Sequence, residues 1–174
     1  MGGCSLTRSQ VKSLRDEDAP RIQFDAPIQT TISALNAIPS HCGPAGNHRV
    51  RPEEFRVYEV VGRITRVKPQ VDHDIHVELA DPQDPRARIV TESDDPNFRG
   101  NVSSPYRSKL DGARKMLEDL RREVGGKDWK DLEGITVRMT GVGFFDMYHL
   151  QVDRSRSCIE LHPILTIERI SDPK

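Results

Sequence analysis

The sequence predicts a mainly β protein, a small barrel of five strands with one capping helix. Three observations carry this reading. From residue 55 onward, five stretches show β-branched, period-two patterning separated by turn signals. One stretch, 104–124, instead repeats its apolar residues at helical spacing. The order is therefore β-β-β-α-β-β, and the first strand carries Gly62 near its middle, where a bulge or sharp coil would let one strand serve two sheets. That combination is what a five-stranded OB-like barrel requires, with the helix covering the end of a barrel too small to cover itself. Closure also removes the exposed edges that one helix could not protect.

The elements follow in chain order. Residues 1–52 read as an N-terminal arm whose first 50 residues carry five basic and four acidic residues, with breaker clusters around Pro39 and Gly43-Pro44. Within it, Ile32, Leu35 and Ile38 are spaced three apart, which predicts a short helix near 30–38 with Thr30 or Thr31 at its cap. An irregular arm with apolar anchors is the alternative. The barrel domain is placed at 53–171, followed by a tail of residues 172–174. Its first strand is Phe55 to Lys68. Asp74 to Ala80 alternates, with Ile75, Val77 and Leu79 on one face and Asp74, His76 and Glu78 on the other. Asp81-Pro82-Gln83-Asp84-Pro85 is a turn, and Ala87 to Thr91 is the third strand. The helix takes Ser104 as its cap and Pro105 as its first residue, and Gly125-Gly126 ends it. Gly134 to Asp146 and Ile159 to Ile170 are the last two strands, and Pro163 predicts a gap in the pairing of the final one.

Composition narrows the function. The chain has 26 Lys+Arg against 27 Asp+Glu, and residues 51–174 hold 21 and 23 of these, so no overall basic excess advertises a polyanion partner. Aromatics are 5% of residues. No apolar run approaches the roughly 20 residues of a membrane-spanning helix. Leu6 stands where a myristoylation signal wants Ser or Thr, and no apolar leader core follows. The three cysteines, Cys4, Cys42 and Cys158, are odd in number and scattered. They predict reduced thiols in a cytoplasmic protein rather than a disulfide framework or a zinc knuckle.

The segments DHDIHVELADP (72–82), TGVGFFDMYHLQ (140–151) and IELHPIL (159–165) resemble a widespread group of small bacterial proteins. In that group DxHL, GxxFFDxxH and ELHP strands recur. VKSLRDEDA (11–19) and TTISAL (30–35) are similar to the group's lead-in to the domain. The group has no assigned activity, so the resemblance implies the OB-like fold and carries over no catalytic residue. Many members have secretory leaders, and this chain departs from them there.

Two functional readings follow. In an OB barrel, strands two and three and the loops after strands one and four frame the ligand face. A non-enzymatic binding protein would use that face, with single-stranded nucleic acid as the leading ligand and another oligomer as a further one. Its candidate residues are Arg63, Arg66, Lys68, His76, Glu78, Arg88 and Tyr148. Alternatively, Asp72, Asp74, His76, Asp146, His149 and His162 are imidazole and carboxylate donors suited to a divalent metal, predicted to gather at one barrel end. A metal there would activate water in a phosphodiesterase or nuclease. The competing account gives the Asp and His side chains to loop caps and backbone bonds. A protein-interaction scaffold is a third reading, and no GxSxG or phosphate loop supports nucleophilic catalysis.

Overall fold

The computed structural model describes residues 8–44, 46–146, 155 and 157–171. Six strands form one sheet: β1 (Gln23–Gln29), β2 (Arg56–Pro69), β3 (Ile75–Ala80), β4 (Arg88–Ser93), β5 (Thr136–Phe145) and β6 (Ile159–Arg169). The neighbours run β1-β2-β3-β4-β6-β5, and β2 also pairs with β5. That last pairing closes a five-stranded OB-like barrel from β2 to β6, with β1 added outside it.

The first barrel strand makes the closure possible. Residues 57–63 of β2 pair antiparallel with β5, and residues 63–69 pair with β3, with a register shift between Ile64 and Arg66. Gly62 lies at this handover. A Cβ there would sit 2.9 Å from Leu79 Cβ and 3.0 Å from Ile32 Cδ1, so the glycine admits close packing across the bend. The other seam joins β4 to β6 in parallel at Thr91 and Leu161. The β5–β6 ladder skips past Pro163, with Gly141 opposite Ile164 and Gly143 opposite Leu161, as a missing donor requires.

The barrel core is built from the predicted apolar faces. Ile75, Val77 and Leu79 join Val137, Met139, Phe145, Ile159 and Leu161. The long helix, α3 (Arg107–Glu123), lays Ala113, Leu117 and Leu120 on this core. Each buried Leu contributes about 1.5–3 kcal/mol of transfer free energy. The helix begins two residues later than the Ser104 cap predicts. Ser104 Oγ donates to Ser13 O and accepts from Tyr106 N, so it fixes the entry rather than capping the first turn. Its end is as predicted: Gly125 has φ 71, Gly125 N bonds Arg122 O, and Gly126 N bonds Arg121 O.

The described residues of this segment, 8–44 and 46–52, form more regular structure than an irregular arm. A short α1 (Ser9–Lys12) leads to β1, which runs parallel to β2, and then to α2 (Ile32–Asn36) capped by Thr31. Leu14, Ala19 and Ile22 form a second core with Val57, Leu110 and Val142. Two buried arginines fasten the segment. Arg8 donates to both carboxylate oxygens of Glu54 at 2.6 and 3.0 Å, and Arg49 does the same to Asp16 at 3.1 and 3.0 Å.

The expectation of reduced thiols is overturned. Cys42 and Cys158 are bonded, with Cα atoms 5.3 Å apart and a sequence separation of 116. Sequence distance concealed the pair. His41 N bonds Ser157 O and Gly43 N bonds Asp146 O, which brings the loop after α2 to the start of β6 within disulfide reach. Among the described residues, no helix is long and apolar enough to cross a membrane.

Candidate functional site

The polar face of β3 does not meet water. All six residues of that strand are buried, His76 and Glu78 included. Period-two geometry places Asp74, His76 and Glu78 on the outer face of the barrel. The same rule adds Glu92 and Asp94 at the end of β4, and Glu160 and His162 at the start of β6. Cross-strand pairing sets His76 opposite Glu92. The N-terminal segment lies over this face. Lys12 reaches to 3.7 Å from Glu92 Oε2, and both Lys12 and Arg8 stand over the Phe144 ring, at 5.4 and 4.9 Å from its centroid. This face corresponds in position to the one on which OB barrels hold ligands, and here α1 roofs it.

The bonds inside the cluster are short and charged. Glu92 reaches both histidines: its Oε1 lies 2.9 Å from His76 Nδ1, and its Oε2 lies 3.1 Å from His162 Nδ1. The second contact lacks hydrogen-bond alignment, so the fully buried His162 Nδ1 has no proper partner. His76 Nε2 meets Glu78 Oε1 at 3.1 Å, and His162 Nε2 meets Asp94 Oδ1 at 2.7 Å. Burial would lower both imidazoles. For His76 the bonds to Glu78 and Glu92 outweigh it and lift the ring to about 9. For His162 the Asp94 charge outweighs it and lifts the ring to about 10. Burial of Glu92 is likewise outweighed by His162, His76 and Lys12, which hold it well below the usual carboxylate range.

Two carboxyls go the other way. Burial, and then the neighbouring Asp94, push Asp74 up to about 8. Burial, with Asp146 and Glu92, pushes Glu160 up to about 8. Burial would lower the Lys12 ammonium, but Glu92, Asp146, Glu160 and Asp74 together raise it. Six carboxyls (Asp74, Glu78, Glu92, Asp94, Asp146 and Glu160) thus interact with five cationic groups, Lys12, Arg66, Lys68, His76 and His162. With Asp74 and Glu160 pushed up toward neutrality, the remaining carboxylates are matched by these cations, and a bound divalent cation would let the raised pair ionise. Asp74, Asp94 and His162 each offer a ligand atom within 4.8 Å of the others, and all three residues are buried. Ligand atoms about 2.0–2.2 Å from a shared ion lie roughly 3–4 Å from each other, so small side-chain shifts would complete the site.

The sequence-predicted residues divide. Asp74, His76 and His162 of the metal set and His76 and Glu78 of the binding set come together on the face. Asp146 flanks it, with its backbone N bonded to Cys158 O. Asp72 is not in the cluster: its Oδ1 accepts from Asp74 N at 3.4 Å and so serves the turn. Its neighbour His73 turns outward to Asp95 at 3.3 Å. Asp74 and Asp94 therefore meet His162 where β3 begins and β4 ends, beside the loop after β2, while His76 and Glu78 lie further along the sheet face. Of the predicted basic residues, Arg63 is exposed on β2, Arg66 lies 3.8 Å from Glu78 Oε1, Lys68 pairs across the ladder with His76, and Arg88 opens β4 opposite Ala80. Tyr148 and His149 lie outside the described residues. Sequence reasoning missed Lys12, Glu92, Asp94 and the place of Glu160 in the group. The signal for two of them was present: Glu92 and Asp94 are two apart at a strand end, which puts both on one face.

No protein-family model matches the chain, and a search of curated proteins finds no match.

Proposed function

We propose that this protein is a metal-dependent phosphodiesterase or nuclease whose divalent cation sits on the roofed OB face. The observation that carries the reading is the convergence of Asp74, Asp94 and His162, three buried donors, one just before β3, one just after β4 and one within β6. Such a cation would act as a Lewis acid and activate water at neutral pH. Around it the chain supplies a proton acceptor in Glu160, an ammonium in Lys12 that can face developing negative charge, and Glu92 to orient both imidazoles. Binding of single-stranded nucleic acid to the bare face has less support, because its carboxylates repel phosphate until a cation is present. The Cys42–Cys158 bond supports an oxidising compartment in place of the cytoplasm expected from cysteine count.

The test is calorimetric titration of Mn2+ and Zn2+ into chelator-treated protein, followed by hydrolysis of bis(p-nitrophenyl) phosphate. One tight equivalent is expected. Asp94→Asn, which preserves shape, should weaken it by more than tenfold, or about 1.4 kcal/mol, and abolish metal-dependent turnover. Failure of the wild-type protein to bind either ion, or equal affinity in the variant, refutes the centre. Binding without turnover refutes the enzymatic half alone.

A further inference from the structure

A second feature lies away from the roofed face. β1 and β2 run parallel, so their first residues share one end of the sheet, where Gln23 pairs with Arg56. The turn before β1 and the segment 49–55 leading into β2 wall a cleft of about 410 Å³ there. That volume falls in the range of small-ligand sites. The lining includes Arg21, Arg49, Arg51, Arg56 and Phe55, and no acidic residue. In a chain of formal net charge −1, four arginines around one concavity are a local departure from the average.

The four do not have equal roles. The Arg49 guanidinium is buried and already engaged by Asp16, Glu54 O and Val11 O, so it shapes the cleft and offers little to a ligand. Arg21 is exposed. Its guanidinium lies over the Phe55 ring, 4.4 Å from the centroid, and pairs with Asp18 at 2.9 Å. Arg51 is 3.4 Å from Glu53, and Arg56 is exposed beside Tyr58. Surface pairs of this kind contribute at most about 1 kcal/mol, so an incoming phosphate can replace them. Guanidinium groups bind phosphate with paired, directed hydrogen bonds. A guanidinium held flat by an aromatic ring also presents a planar platform on which an unstacked base can rest.

We propose that this cleft binds the phosphate groups of a single-stranded oligonucleotide, with Arg21, Arg51 and Arg56 as the phosphate contacts and the Arg21–Phe55 stack under a base. The site needs no metal, and it stands or falls separately from the cluster on the opposite elements. The probe is a 5′-fluorescein dT12 read by anisotropy in EDTA, across 25–200 mM NaCl. Binding at low salt is expected, with unlabelled dT12 competing better than dTMP and dTMP better than inorganic phosphate. The triple variant Arg21→Gln/Arg51→Gln/Arg56→Gln should bind at least tenfold more weakly. Its slope of log K against log salt should be shallower by about 2, as expected for three lost contacts to a single strand at about 0.7 each. The three side chains pack in no core, so the variant should melt with the wild type, which circular dichroism checks. Absence of wild-type binding at 25 mM salt overturns the proposal. So does a folded variant with unchanged affinity and slope, or inorganic phosphate competing as well as dT12.

Discussion

The roofed face should make stability fall as pH rises, and a divalent cation should remove that fall. Asp74 and Glu160 titrate near 8 in the folded chain, against 3.8 and 4.5 as ordinary carboxyls. Between those values the folded state holds protons that the unfolded state has released, so stability declines with pH. His76 and His162 have the same sign. Their contribution is complete below the unfolded value of 6.5 and is lost as pH climbs through about 9 and 10. Glu78 and Glu92 are lowered and act oppositely, but only as pH falls through the carboxylate range. From pH 5.5 to 7.5 all the remaining terms point down. Each proton held by the folded state alone is worth about 1.4 kcal/mol per pH unit. One such proton, shared by the coupled carboxyls, gives about 3 kcal/mol over that window, a large part of a typical 5–15 kcal/mol stability. Urea unfolding in EDTA at pH 5.5, 6.5 and 7.5 should show midpoints falling by about 1–3 M in total, for slopes of about 1–3 kcal/mol per molar. With saturating Mn2+ or Zn2+ Asp74 would be held ionised on the metal and the nearby charge would favour ionised Glu160, so the midpoint should flatten with pH and binding should release protons. A flat midpoint in EDTA, or the same slope with and without metal, would refute the charge balance argued for the face.

Two further outcomes test how the roof is held. Glu54 accepts from Arg8 twice and from Val50 N and Phe145 N, all buried or partly so; Glu54→Ala should cost about 3–5 kcal/mol by stranding a buried guanidinium, measured by urea unfolding, and a loss under 1 kcal/mol would contradict the anchoring role. The Cys42–Cys158 bond closes a loop with a sequence separation of 116; reduction should therefore lower stability by about 2–5 kcal/mol, and peptide mapping of unreduced protein should recover the linked pair rather than two free thiols.

What the sequence disclosed depended on periodicity. Five barrel strands and α3 were legible because their apolar residues recur at two and at 3.6. β1 was not, since Gln23–Gln29 is mostly exposed and carries Pro27, which an edge strand tolerates and a pattern search rejects. The disulfide was illegible because only the folded backbone brings residues 42 and 158 together. Within the site, Asp74, His76 and His162 stood out by type and by strand position. Lys12 did not, because it belongs to a helix of four residues with no apolar stripe of its own. The alternation of β3 showed correctly which residues leave the core, but period two cannot say whether the second face meets water or a roof.

That roof gives the cluster its meaning. A solvated face of mixed charge would be ordinary, and its pairs would contribute little. Here the charges are taken out of water beneath α1, where each carries a desolvation penalty that an apolar face of the same shape would avoid. The N-terminal segment had an apolar alternative at hand: Val11 and Leu14 are fully buried beside Lys12 and Ser13. For stability alone, leucine at Glu92, Glu160 and His162 would serve at least as well. A buried set of carboxyls and imidazoles with an unaligned His162 nitrogen and two carboxyls pushed toward neutrality is poorly optimised as a scaffold. On the proposed reading a cation held by Asp74, Asp94 and His162 would let the raised carboxyls ionise, which gives the burial of this set a purpose that scaffold stability does not.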